Sequence, residues 1–200
     1  GKDTLIFSST LTSSSVQGGS GNDLISFGAV VGAHNTIDAG ADADTLIFSA
    51  TVSKASIHGQ AGADSVSFRA GVTNASVLAG SGKDTLIFST TVTGSSILGG
   101  DDEDSFSFGA KLTNTTLAGG DGSDTFTLSV DAQASYLSMD GGSDLMVFAT
   151  STTLTSSTMR GGAGADTLRF LGVLTGGSTI DLGADEDSLY FSNALTSSSI

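Results

Sequence analysis

The chain is 200 residues long, holds 28 glycines, no proline and no cysteine, and carries a formal charge of −14. Without cysteine there is neither a disulfide framework nor a thiolate metal site, and the acidity argues against nucleic acid, which needs a basic face, and against adsorption to anionic lipid. No apolar run approaches the roughly 20 residues that cross a bilayer, so membrane insertion is not expected, and no signal-like segment opens the chain.

The first element in chain order is an aspartate that then returns nine times. Asp3, Asp23, Asp44, Asp64, Asp84, Asp104, Asp124, Asp144, Asp166 and Asp187 are separated by 20, 21, 20, 20, 20, 20, 20, 22 and 21 residues. A fixed period near 20 residues marks a solenoid, in which one coil buries its apolar side only against its neighbours. Residues 1–200 therefore read as a single tandem-repeat array. The sequence opens inside one repeat and stops inside another, which suggests a segment of a longer array.

Numbering each repeat Asp as zero, a short strand follows with apolar residues at +2 (Leu5, Ile25, Leu46 onward) and +4 (Phe7, Phe27, Phe48 onward). Residues two apart point to the same side of a strand, so both positions face inward. Nine of the 11 Phe residues occupy the +4 ladder. A second apolar position lies at +8, from Leu11 and Val31 to Leu174 and Leu195, weakened at Ala132. A third lies near +13, from Val16 and Ile37 to Ile180 and Ile200, preceded at +11 mostly by Ser, Ala or Thr. A turn rich in Gly and Asp then leads to the next repeat. The expected fold is all-β: a flattened parallel β-solenoid of ten coils of about 20 residues, with two short strands per coil.

Lengthened repeats keep this apolar pattern. Ile37 and Ile180 arrive one position late, and Leu154 and Met159 two positions late, so the extra residues belong to turns. Outward position +3 alternates Ile6, Ser26, Ile47, Ser67, Ile87, Ser107, a 40-residue rhythm that points to a duplicated pair of coils.

The charge is confined to one edge. Each repeat Asp with the six residues before it forms a corner, and these corners hold all the acidic residues but Asp131. Coils about 4.8 Å apart would set these carboxylates close enough to repel by about 3.5 kcal/mol per neighbouring pair at an effective dielectric of 20. Such a file requires cations, or a loose and wet edge.

Three corners read GGxGxD: Gly18 to Asp23, Gly119 to Asp124, and Gly161 to Asp166. With the apolar residue that follows, they resemble the nonapeptide of the RTX, or haemolysin-type calcium-binding, repeat family, here in a variant with about 20 residues per coil. Glycine admits the positive-φ conformations that turn successive carbonyls into one concavity, and Ca2+ takes six to eight oxygens at about 2.3 to 2.6 Å. The resemblance implies Ca2+ held between the corners of successive coils, with the ten repeat aspartates supplying carboxylates and the Gly-rich backbone supplying carbonyls. It further implies a protein exported unfolded and ordered by external calcium. Two features depart from the family pattern. The opposite turn is Ser/Thr-rich, as in Ser13-Ser14-Ser15, and is expected to hold no metal. Ala39, Ala79, Met139 and Leu182 replace the first Gly, Gln60 and Asp140 the second, and Asp42, Asp102 and Asp185 the fourth-position Gly.

Other chemistry has little support. The two histidines, His34 and His58, recur in no other coil, and nothing singles out one serine as a nucleophile. The expected function is that of an extracellular, cell-surface structural segment stabilised by calcium, without enzymatic activity: part of a surface filament, surface layer, matrix fibre or adhesin stalk. The alternative is a calcium-dependent folding and secretion module of an exported toxin or hydrolase. Expected partners are calcium ions and further copies joined end to end, with a cell-surface polysaccharide as a third reading.

Overall fold

The structure is a computed structural model and describes residues 1–193; Leu195 and Ile200 lie outside the described residues. Three parallel sheets enclose one core. Among the described residues there is no helix, and so none long and apolar enough to cross a membrane. The first sheet stacks ten four-residue strands, from Thr4–Phe7 to Ser188–Phe191. The second stacks nine six-residue strands, from Ser15–Ser20 to Thr179–Ala184. Strands of successive coils pair in register, so Phe27 lies opposite Phe7 and Phe48, and Ile37 opposite Val16 and Ile57. The parallel β-solenoid with about 20 residues per coil is what the period requires. The described residues close nine turns, and the tenth coil adds its first-sheet strand.

Two strands per coil is an undercount. A third sheet of seven strands, from Val52–Ser53 to Val173–Thr175, runs along the +8 positions, and isolated bridges at Leu11–Val31 and Val31–Val52 extend it to the first coils. Most of its strands are two residues long: Val92 is buried and Thr93 is not. A single alternation is too brief to register as a period of two, so the segment reads as turn until the neighbouring coil supplies its hydrogen bonds. The cross-section is consequently three-sided.

The insertions fall in turns. In an ordinary coil one residue with positive φ, such as Lys54, Asn74 or Asn114, links the third strand to the second sheet. The two 21-residue repeats carry one more residue there, around His34 and at Gly176-Gly177. The 22-residue repeat places its two extra residues between Phe148 and Leu154, where Thr152 Oγ1 donates to the Ala149 carbonyl at 2.8 Å. Leu154 still pairs with Ala132, and Met159 with Leu137.

Inside, Phe7, Phe27, Phe48, Phe68, Phe88 and Phe108 stack with centroids 4.7 to 5.0 Å apart and planes within 9° of parallel. Leu128 interrupts the column, and beyond it Phe148 and Phe170 are tilted by 48°. Offset-stacked rings add about 0.5 to 1.5 kcal/mol per pair to the burial of their area, and that gain exists only between coils.

The Gly-rich corners owe their shape to two positive-φ residues each, at −4 and −2 from the repeat Asp. At −4, seven coils use Gly, whereas Gln60 adopts φ 84 and Asp140 φ 71. A side chain in this region costs about 1 to 2 kcal/mol. Gln60→Gly is therefore expected to raise stability in urea unfolding by about 1 kcal/mol. A fall instead would mean that the Gln60 Nε2 hydrogen bond to Asp38 Oδ2, 3.2 Å long, outweighs the strain.

Candidate metal centre

The repeat aspartate shares its parity with +2 and +4, so its side chain points into the wall of the solenoid with Leu and Phe. Asp23, Asp44, Asp64, Asp84, Asp104, Asp124, Asp144 and Asp166 are all buried, none more than 3% exposed; Asp3, in the first coil, is exposed and Asp187 half-buried. Each Oδ1 accepts a hydrogen bond from the backbone N–H of the repeat Asp one coil earlier, at 2.6 to 3.0 Å, from Asp3 N–H to Asp23 through Asp166 N–H to Asp187. The other oxygen, Oδ2, is buried without a hydrogen-bond partner in all eight enclosed aspartates. The side chain is thus half committed to the coil ladder and half open.

What Oδ2 faces is shown most clearly where the residue five before the Asp is Gly. A Cβ built on Gly18 would stand 2.8 Å from Asp23 Oδ2 and closer still to the carbonyl oxygen of Ala39 in the next coil. Gly59, Gly99, Gly119 and Gly161 repeat this, each between its own Asp Oδ2 and a carbonyl of the following coil. In every case the two oxygens are no more than about 5 Å apart, a gap that a Ca2+ with bonds of about 2.3 to 2.6 Å bridges. Among the described residues no three acidic or imidazole side chains converge on one point, and the two oxygens that meet at each glycine corner are a carboxylate oxygen and a main-chain carbonyl oxygen. These are hard oxygens of the kind Ca2+ takes, and the orphaned Oδ2 atoms fit it.

Seven of the buried carboxyls, from Asp44 to Asp166, are held above their ordinary range. Burial pushes Asp64 up to about 7, with the charges of Asp84 and Asp44 adding and the Asp44 N–H opposing. Asp104 and Asp144 also reach about 7, and Asp84 and Asp124 about 6, again with burial first among the causes. Asp44 and Asp166 shift in the same direction for the same leading reason. A carboxylate that loses water without gaining a counter-charge favours its neutral form.

The opposite corner shows the same design with a neutral group. Ser135 Oγ accepts from Thr115 N–H at 3.2 Å and donates to the Gln133 carbonyl at 3.0 Å, and Ser95 does likewise with Ala75 N–H and the Thr93 carbonyl. Asn35 Oδ1 accepts from Ser14 N–H, while its Nδ2 donates to the Leu11 and Gly32 carbonyls. These groups both accept and donate, so unlike the repeat aspartates they bridge coils without a charge. This second ladder was present in the sequence as the small residue at +11, but its partners are a coil away.

Among the corner variants, Asp42, Asp102 and Asp185 adopt φ of 79, 76 and 84, the left-handed conformation that Asp tolerates. Asp42 and Asp185 each commit one oxygen to a backbone N–H of the preceding coil, Gly21 at 2.9 Å and Gly164 at 3.0 Å. Glu103 pairs with Lys83 on the surface. Ser56 Oγ lies 2.8 Å from His58 Nε2 on the outer side of the second sheet, and the neighbouring Asp38 Oδ2 accepts from Gln60 Nε2 at 3.2 Å.

Fold and corner together define a calcium-binding repeat module built as a parallel β-solenoid. Residues 13–29, 32–50 and 156–169 match the RTX calcium-binding nonapeptide repeat, in four copies. Over these residues the chain is similar to RTX repeats, and RTX repeats bind Ca2+. Solenoids of such repeats are typically structural rather than catalytic, and repeats of this kind are generally found in secreted proteins. Comparison with curated proteins and with solved structures gave no match.

Proposed function

We propose that the chain is a calcium-stiffened structural segment of an extracellular protein, serving in a surface filament, surface layer, matrix fibre or adhesin stalk. The observation that carries this reading is the single file of eight buried Oδ2 atoms without partners. Such a file opposes folding while its charges are uncompensated and supports it once they are neutralised. The residues that would hold the ions are Asp23, Asp44, Asp64, Asp84, Asp104, Asp124, Asp144 and Asp166, with Asp3 and Asp187 at the two ends of the file, each aided by carbonyls of its Gly-rich corner. Bound Ca2+ supplies the positive charge that the wall lacks. Sites with dissociation constants of about 10⁻⁴ to 10⁻³ M suit an extracellular module: the segment stays loose where calcium is scarce and stiffens where it is abundant.

The RTX matches also support a second reading, a calcium-dependent folding and secretion module of an exported toxin or hydrolase. A catalytic domain on the same polypeptide would favour it, and further array the first. For both, calcium titration followed by circular dichroism, with magnesium as control, is expected to show a gain of β signal at millimolar calcium only. An unchanged spectrum and melting point would remove the calcium switch.

A further inference from the structure

The outer side of the second sheet departs from its repeat at one place. Every strand of that sheet opens on Ser or Thr except Tyr136–Gly141, where Tyr136 stands in register between Thr116 and Thr158 and is 38% exposed. In the same strand Asp140 stands between Gly120 and Gly162 of the adjoining coils, and the buried Ser138 donates through Oγ to Asp140 Oδ1. One coil further, Arg160 Nη2 donates to Asp181 Oδ2 at 3.2 Å, with Tyr136 also beside the guanidinium. These five side chains and Asp121 line a hollow of about 490 Å³. Gly162 and Gly183, in register with Asp140, bring no side chain into it from the next two coils.

We infer that this hollow binds neutral sugar units of a polysaccharide, with the Tyr136 ring as apolar platform, Asp121 and Asp140 as hydrogen-bond acceptors and Arg160 as donor. The inference goes beyond the structural reading and does not require calcium at any particular corner. Pockets for small ligands span about 300 to 1,000 Å³, and the hollow falls within that range.

The donor and acceptor chemistry selects the ligand. An ionised carboxylate only accepts hydrogen bonds and a guanidinium only donates them, whereas a hydroxyl group does both. A hollow that offers acceptors and a donor in one space therefore suits a ligand made of hydroxyls. An acidic ligand would face Asp121, Asp140 and Asp181, of which Asp181 is paired with Arg160 while the other two add negative charge. A cationic one would face Arg160, at the middle of the row from Ser138 to Asp181. A neutral polyol meets neither repulsion. A pyranose ring is apolar where its C–H groups lie, and the half-exposed Tyr136 offers that side an amphipathic aromatic surface.

Isothermal titration calorimetry of the chain in millimolar calcium tests the site, with short oligomers of glucose, mannose, galactose and N-acetylglucosamine as neutral probes and oligogalacturonate and spermidine as the acidic and cationic ones. At least one neutral oligomer is expected to bind, and more tightly than either charged probe. Tyr136→Thr and Asp140→Gly restore the residues of the neighbouring coils, so the circular dichroism spectrum should not change. Each should nevertheless weaken binding by about tenfold or more. Gln60→Gly makes the same exchange at the same backbone position, beside a hollow with no aromatic side chain among its lining residues, and is expected to leave the affinity unchanged. No binding of any neutral oligomer by the folded chain, tighter binding of a charged probe, or full affinity in both Tyr136→Thr and Asp140→Gly overturns the site. Circular dichroism of the same samples with and without calcium reports on the calcium reading separately.

Discussion

Without calcium, the protein is expected to melt at a lower temperature at about pH 8 than at about pH 5, and saturating calcium is expected to reverse that order. Asp64, Asp104 and Asp144, at about 7, and Asp84 and Asp124, at about 6, all lie above the ordinary 3.8. The folded chain therefore binds more protons than the unfolded chain between about pH 4 and pH 7, and stability falls as pH rises through that window. The contribution is fully present below the unfolded value and gone above the folded one. Calcium binds the ionised form, so it acts where the protons have left. At a calcium concentration 100-fold above the dissociation constant, each site adds about 2.7 kcal/mol. For a chain of this size that corresponds to roughly 5 to 10 °C per site. Differential scanning calorimetry at the two pH values, with and without calcium, reads all four cases. Calcium-free melting that rises between pH 5 and pH 8 would show that the buried carboxyls are not the groups that govern stability.

Truncating the Phe column at its centre is expected to have the second-largest effect. Phe68 is fully buried and stacks on Phe48 at 4.8 Å and Phe88 at 4.7 Å. Phe68→Ala should cost about 3 to 5 kcal/mol, the range for a large aromatic removed from a packed core. A solenoid couples each coil only to its neighbours, so hydrogen exchange should quicken in the coils flanking Phe68 and much less in distant ones. Phe191 makes a looser contact with Phe170, 6.0 Å between centroids and tilted by 56°, and Phe191→Ala should cost clearly less in urea unfolding. Equal losses at the two positions would mean that the array melts as one unit, without local coupling.

Much of the architecture was legible because a repeat shows the same pattern ten times. The inward direction of Phe7, Phe27 and Phe48 follows from spacing alone, and the late arrival of Ile37, Leu154 and Met159 located the insertions correctly. The third sheet was not legible, because a pair such as Val92-Thr93 alternates once and owes its strand character to Val72-Thr73 and Leu112-Thr113 on either side. The site was legible in part. The repeat aspartates and the Gly-rich turns stand out, but reading the file as an edge that holds cations or stays wet overlooks the parity of the Asp with Leu and Phe, which turns its side chain into the wall.

The amino-acid sequence by itself determined the period, the parallel β-solenoid, the acidic edge and the residues that share the core, since these follow from spacing, side-chain polarity and the two-residue alternation of a strand. Only the tertiary structure decided how each carboxylate is divided, one oxygen paired with the N–H of the preceding coil and the other left buried without a partner. Those partners lie some 20 residues apart in sequence and meet only when one coil is laid on the next.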